Sequence, residues 1–160
     1  MDLSNTTPIK ELLIACADPD RNEGERHAAA ERLREGYDLH EEMPVLGYLA
    51  GLYAMPRPAV SLILSIMYIC GRKRPDDPRP VAKLREYVRR WNAGWNGPPE
   101  LRTQAFMLLL LLDLEQAEEE AKASWPEMRT LVEAERQFPT VRKPMPGAAY
   151  EEATLNLLFH

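Results

Sequence analysis

Five consecutive leucines, Leu108 to Leu112, run directly into an acidic, alanine-spaced block, and no other feature constrains the fold of this chain as tightly. A run of five leucines is too wide for the single apolar stripe of a surface helix, so it has to be covered on most sides. Residues 114–125 instead keep Ala117 and Ala121 among Glu115, Glu118, Glu119 and Glu120, the pattern of a helix with one narrow packed face and one solvated face. Together the two segments predict a packed helical hairpin bent near Asp113.

Prolines punctuate the rest, several of them where a helix should begin, because the fixed φ of proline suits the first helical position. Thr7-Pro8 opens a first helix with Ile9, Leu12, Leu13 and Cys16 at helical spacing, ended by Asp18-Pro19-Asp20. A second is predicted over about 22–35, with Ala29, Ala30 and Leu33 inward and Gly36 as a left-handed stop. Glu41 and Glu42 precede Pro44 and a third helix over 45–54. The fourth, 58–70, is apolar all round and therefore central, with Leu62, Ile63, Ile66, Met67 and Ile69 as core and Gly71 with Arg72-Lys73-Arg74 as its stop. A fifth runs from about 80 to 91 with Val81, Leu84, Tyr87, Val88 and Trp91 on one face, and an eighth from 127 to 137. Pro139, Pro144, Pro146 and Gly147 make residues 138–147 an extended connector to a last amphipathic turn or two through Tyr150, Ala153, Leu157 and Leu158.

No segment alternates with period two, so the expected class is all-α: a compact bundle of seven to nine helices, or a short helical array. Residues 1–137 form the helical domain, and residues 138–160 a proline-spaced arm with a short amphipathic helix packed on it. A chain of 160 residues buries roughly 70% of its unfolded surface, enough for a core without metals or disulfides. Cys16 and Cys70 have no C-x-x-C spacing, and the N-terminus lacks a basic and then apolar leader, which points to a cytoplasmic protein with reduced thiols. The longest nearly uncharged stretch, 43–70, is cut by Pro56-Arg57-Pro58 into pieces shorter than the about 20 residues a membrane crossing needs.

At Ala105, Leu108, Asp113, Leu114, Ala117 and Ala121 the spacing resembles one tetratricopeptide repeat, a helix-turn-helix unit whose small residues let two antiparallel helices approach closely. The fragment Asp113-Leu114-Glu115-Gln116-Ala117 is similar to the opening of that family's second helix. The resemblance implies a binding scaffold that holds peptides or helices in a concave groove.

The net charge of −5 argues against bulk attraction to nucleic acid or an anionic membrane, yet charge is unevenly spread. Residues 72–90 carry Arg72, Lys73, Arg74, Arg79, Lys83, Arg85, Arg89 and Arg90 against three acids, whereas 113–135 hold eight acids against Lys122 and Arg129. The two segments can pair with each other inside the fold, or the basic one can meet an acidic protein or phosphates. Trp91 and Trp95 follow the basic helix, and Trp95, beside Gly94 and Gly97, is expected to be the exposed anchor.

Candidates for chemistry are thin. His27 with Glu31 and Glu23 supplies too few ligands for a metal, and His40 stands alone beside Glu41. Cys16 and Cys70 fall on apolar faces where thiols are inert. Ser61, Ser65 and Ser124 have no histidine at a useful spacing, every acidic cluster reads as exposed, and Gly47 with Gly51 reads as a close helix approach. The sequence therefore predicts a non-catalytic protein-binding module, a small adaptor, chaperone or inhibitor without cofactor or metal. Its contact residues would be Arg85, Arg89, Arg90, Trp91 and Trp95, and its partner a protein, acidic by charge complementarity, or a second copy of the chain. A nucleic-acid-binding use of 72–90 and an enzyme with a site assembled from distant residues are the alternatives.

Overall fold

Capping chemistry sets the helix boundaries. Asn22 accepts from the Glu25 N–H at 2.8 Å while its own amide donates to the Glu25 carboxylate at 2.7 Å, a reciprocal cap that starts a helix at Glu23. Asp113 does the same for Gln116, accepting from its N–H at 3.1 Å and from its side-chain amide at 3.0 Å. Its own N–H still bonds Leu109 O at 2.8 Å, so this one extended residue (φ −154°, ψ 95°) closes one helix and opens the next.

The computed structural model describes residues 7–90, 95, 97–139 and 149–159. Among these residues the fold is all-α, with nine helices and no strand: α1 (Thr7–Ala17), α2 (Glu23–Gly36), α3 (Met43–Ala50), α4 (Arg57–Lys73), α5 (Arg79–Arg90), α6 (Pro99–Leu112), α7 (Leu114–Ser124), α8 (Arg129–Gln137) and α9 (Ala149–Phe159). No described helix is long and apolar enough to cross a membrane. The chain divides into two compact units, Met1–Ile66 with Pro146–His160, and Met67–Met145, so the division falls inside α4.

In the first unit α2 packs on α1 along one side and on α9 along the other. Its sequence suits that position, since Ala29 and Ala30 are buried without demanding space and Leu33 is its one large buried side chain. Leu13, Cys16, Met43, Leu46, Leu49, Leu62, Ile63 and Ile66 are completely or almost completely buried, as the apolar runs of α1, α3 and α4 require. In the second unit α6 packs on α5 and α7, and α7 on α8. Leu108 to Leu111 are buried and Leu112 half-buried. Arg102 of α6 reaches Ser124 O at 3.2 Å and Phe106 meets Trp125 edge-on, so α6 and α7 form an antiparallel hairpin with Asp113 at its closed end.

Several boundary expectations are corrected. Gly36 is not a left-handed stop: α2 includes it, and the extended Tyr37 caps the helix through its N–H to Leu33 O at 3.0 Å. Gly71 does not stop α4, which continues to Lys73. A Cβ there would come within 2.9 Å of Leu112 Cδ1, so the glycine makes room for the end of α6, and Pro75 terminates the helix. α3 ends at Ala50 rather than 54, unwinding through Gly51 N–H to Tyr48 O and Leu52 N–H to Leu49 O. A short 3-10 turn, Pro126–Met128, precedes α8. Ile69 is half-buried, outside the core. On α9 the inner face is Glu151, Thr154 and Leu158; of the stripe predicted through Tyr150, Ala153, Leu157 and Leu158 only Leu158 is buried, and Ala153 is exposed. The expected connector lies mostly outside the described residues.

Candidate functional site

α5 directs two of its arginines at one acidic side chain, Arg85 half-buried and Arg89 exposed. Pro80, Leu84, Tyr87 and Val88 are its buried face, with Val81 half-buried, and Arg85 and Arg89 stand one turn apart beside it. Both reach Glu120 of α7, which is completely buried: Arg85 Nε donates at 3.0 Å to one carboxylate oxygen and Arg89 Nε at 2.9 Å to the other. Ser124 Oγ donates to the same carboxylate, and Arg85 Nη1 also donates to Gln116 Oε1 at 3.0 Å. Burial pushes the Glu120 carboxyl up, but hydrogen bonds from Arg89, Ser124 and Arg85 outweigh it and hold the group below the usual carboxylate range. The oppositely charged segments thus meet inside the second unit, and one acidic cluster expected on the surface contains its most buried charge.

Arg90 pairs with Glu86 on the helix surface at 3.4 Å. Trp91 lies outside the described residues. Trp95 is half-buried rather than exposed, with its ring edge-on to Tyr87 at 5.2 Å and against Gly97, where a Cβ would lie 1.9 Å from the ring. Tyr87 itself is 3% exposed, and its hydroxyl has no hydrogen-bond partner among the described residues. Burial pushes its phenol well above the ordinary value. A buried unsatisfied hydroxyl costs about 1–3 kcal/mol, so Tyr87→Phe is expected to raise the thermal midpoint by roughly 2–12 °C, read by tryptophan fluorescence. A lowered midpoint would show that the hydroxyl finds a partner in solution.

His27 is 3.9 Å from Glu31, whose carboxylate is taken at 2.7 Å by Arg34, and among the described residues no three His, Cys, Asp or Glu side chains converge as a metal site would need. Cys16 and Cys70 are buried, and burial pushes the Cys16 thiol up to about 12. Ser61 and Ser65 of α4 donate to the carboxylate of Glu151 on α9, at 3.0 Å for Ser61.

Two openings flank α2, and neither was visible in the sequence. Between α1 and α2 lies an open groove of about 780 Å³, with Leu12, Ile14, Ala15 and Ala28 along it and Glu11 and Arg32 among its charged residues. Between α2 and α9 lies a smaller one of about 270 Å³. A helix whose buried residues are mostly alanines cannot fill the space beside a neighbour that presents leucines. That shortage of bulk on α2 was the available signal. Compared with known protein families, curated proteins and solved structures, the chain matches none.

Proposed function

We propose that the protein is a non-catalytic protein-binding module, a small cytoplasmic adaptor whose α1–α2 groove takes an amphipathic helix from a protein partner. The observation that carries this reading is the groove itself: it is open to solvent between two packed helices, and Leu12, Ile14, Ala15, Ala28 and Ala29 form its apolar part. Eleven residues of α1 offer a track of roughly 16 Å, three turns of a bound helix. Glu11 on α1 and Arg32 on α2 line it and make no ion pair among the described residues, so a partner helix with one basic and one acidic residue beside its apolar stripe is complementary. The antiparallel α6–α7 hairpin, with Ala105, Ala117 and Ala121 buried in it, supports a tetratricopeptide-like unit in the same scaffold. Arg85 and Arg89 are spent on Glu120, which moves the proposed contact surface away from α5.

The test is native co-purification of the tagged chain from its source cells, compared with Ala28→Arg and Arg32→Glu. Ala28 is exposed in the groove, so an arginine there fills it without entering the core. A stoichiometric protein that cross-links to Lys10 of α1 and falls at least 10-fold in both variants supports the reading. Recovery of nucleic acid, or of a protein indifferent to both substitutions, overturns it.

A further inference from the structure

α9 is seated on the first unit as a bound helix is seated, not as a core helix is. Of its residues, only Glu151, Thr154 and Leu158 are buried, and two of those three are polar. Thr154 Oγ1 turns back to Tyr150 O at 2.7 Å and contributes no hydrogen bond across the contact. Alongside, the opening of about 270 Å³ stays unfilled between Ala30 and His27 of α2 and Ala153 and Leu157 of α9. Core helices close such space, because unfilled volume forfeits dispersion contacts on every lining atom.

What fixes α9 is polar and specific. The Glu151 carboxylate in its first turn accepts from Ser61 Oγ at 3.0 Å and from Ser65 Oγ, two hydroxyls one turn apart on α4, and pairs with no cation among the described residues. Arg26 lies 5.7 Å from the centre of the Tyr150 ring, and Phe159 stands edge-on to His40 at 6.5 Å. A buried carboxylate read by two hydroxyls stabilises less than an apolar contact would, but it dictates which turn of a helix faces the serines. Eleven residues are too few for a stable isolated helix, so docking and folding of α9 go together.

We infer that the face beneath α9, built chiefly by α2 with α1 and α4, is a helix-receptor site, filled in cis by the chain's own α9 and able to take α9 of a second copy in trans. The occupant is fixed by the fit already present: a carboxylate at Glu151, a leucine seven residues on at Leu158, and aromatic rings at Tyr150 and Phe159 for Arg26 and His40. Every copy of the chain carries that helix. It is joined to α8 through residues 138–148, which when extended reach up to roughly 36 Å. Exchange between copies preserves each contact and costs only association entropy. The face used is the 23, 26, 27, 30 side of α2, opposite the α1–α2 groove, so this inference stands apart from the proposed function.

The probe is a fluorescein-labelled peptide of the α9 sequence, added to the full chain carrying Glu151→Arg and Leu158→Asp, which ejects its own α9. Saturable micromolar binding is expected, at least 10-fold weaker for a peptide with Glu151→Lys and at least 10-fold weaker on the wild-type chain, whose site is filled. No binding, or binding indifferent to Glu151→Lys, overturns the proposal. In case the double variant misfolds, native mass spectrometry of isotopically labelled and unlabelled wild-type copies at high concentration gives a second reading. Mixed dimers in which α9 of one copy cross-links to α2 of the other support exchange, and monomers at every concentration, or dimers in which α9 cross-links only within its own copy, overturn it.

Discussion

Phe106→Ala is expected to lower the stability of the second unit by about 4 kcal/mol. Phe106 is completely buried on α6 beside Ala105 and Leu109. Its ring meets Trp125 at 5.8 Å with the planes 76° apart, and the Arg102 guanidinium lies 3.8 Å from the centre of the same indole. Arg102 also anchors Ser124 O, so Phe106, Trp125 and Arg102 together close the end of the α6–α7 hairpin remote from Asp113. Removing the ring deletes its burial and leaves a cavity that a hairpin pinned at Asp113 cannot collapse around. All three tryptophans of the chain fall within residues 67–145, so tryptophan fluorescence reads this unit. The thermal midpoint should fall by roughly 8–16 °C, whereas Phe106→Leu, which keeps most of the volume, should cost under about 1.5 kcal/mol. A Phe106→Ala midpoint within 2 °C of wild type, a limit well below that roughly 8–16 °C, would mean that the ring does not close the hairpin.

Helix positions were legible because the cues that set them are local. Pro8, Pro44 and Pro99 stand at or beside helix starts, the break at Asp113 follows from its caps, and α4 is buried nearly all round as its composition demands. Neither glycine acts as a stop: Gly36 continues α2 with open space where a Cβ would lie, whereas Gly71 makes room for Leu112, which is distant in sequence. The buried charges were half legible. Glu120 lies on the stripe of Ala117, Ala121 and Ser124, and Arg85 and Arg89 flank the apolar face of α5, yet their pairing depends on how α5 lies against α7. Glu151 was missed because a carboxylate on an amphipathic helix reads as solvated until its partner serines are in place. The grooves on either side of α2 were signalled only by its buried alanines, whose lack of bulk means nothing until the neighbours of α2 are in place.

Glu120→Ala is expected to destabilise the second unit by about 3 kcal/mol, the lower end of what breaking a buried ion pair costs. The lower end applies because the two arginines differ: the Arg85 side chain is 18% exposed and would be left charged and largely buried, whereas that of Arg89 is 55% exposed and can turn to water. Replacing the pair should behave differently from breaking it. Glu120→Leu with Arg85→Met removes both desolvated groups, fills the space, and should return stability to within about 1 kcal/mol of wild type or above it. The sign of the pH dependence follows from the lowered carboxyl. Its folded value lies below the ordinary 4.5, so the contribution of Glu120 is fully present above that pH and is lost as pH falls through the folded value. The stability gap between wild type and Glu120→Ala, from urea unfolding followed by tryptophan fluorescence, should therefore be constant from pH 8 to about pH 5 and narrow below about pH 4. A gap that stays constant into strong acid would show that the carboxylate charge is not what holds α5 to α7, and equal destabilisation by the single and double replacements would show the same of the ion pair.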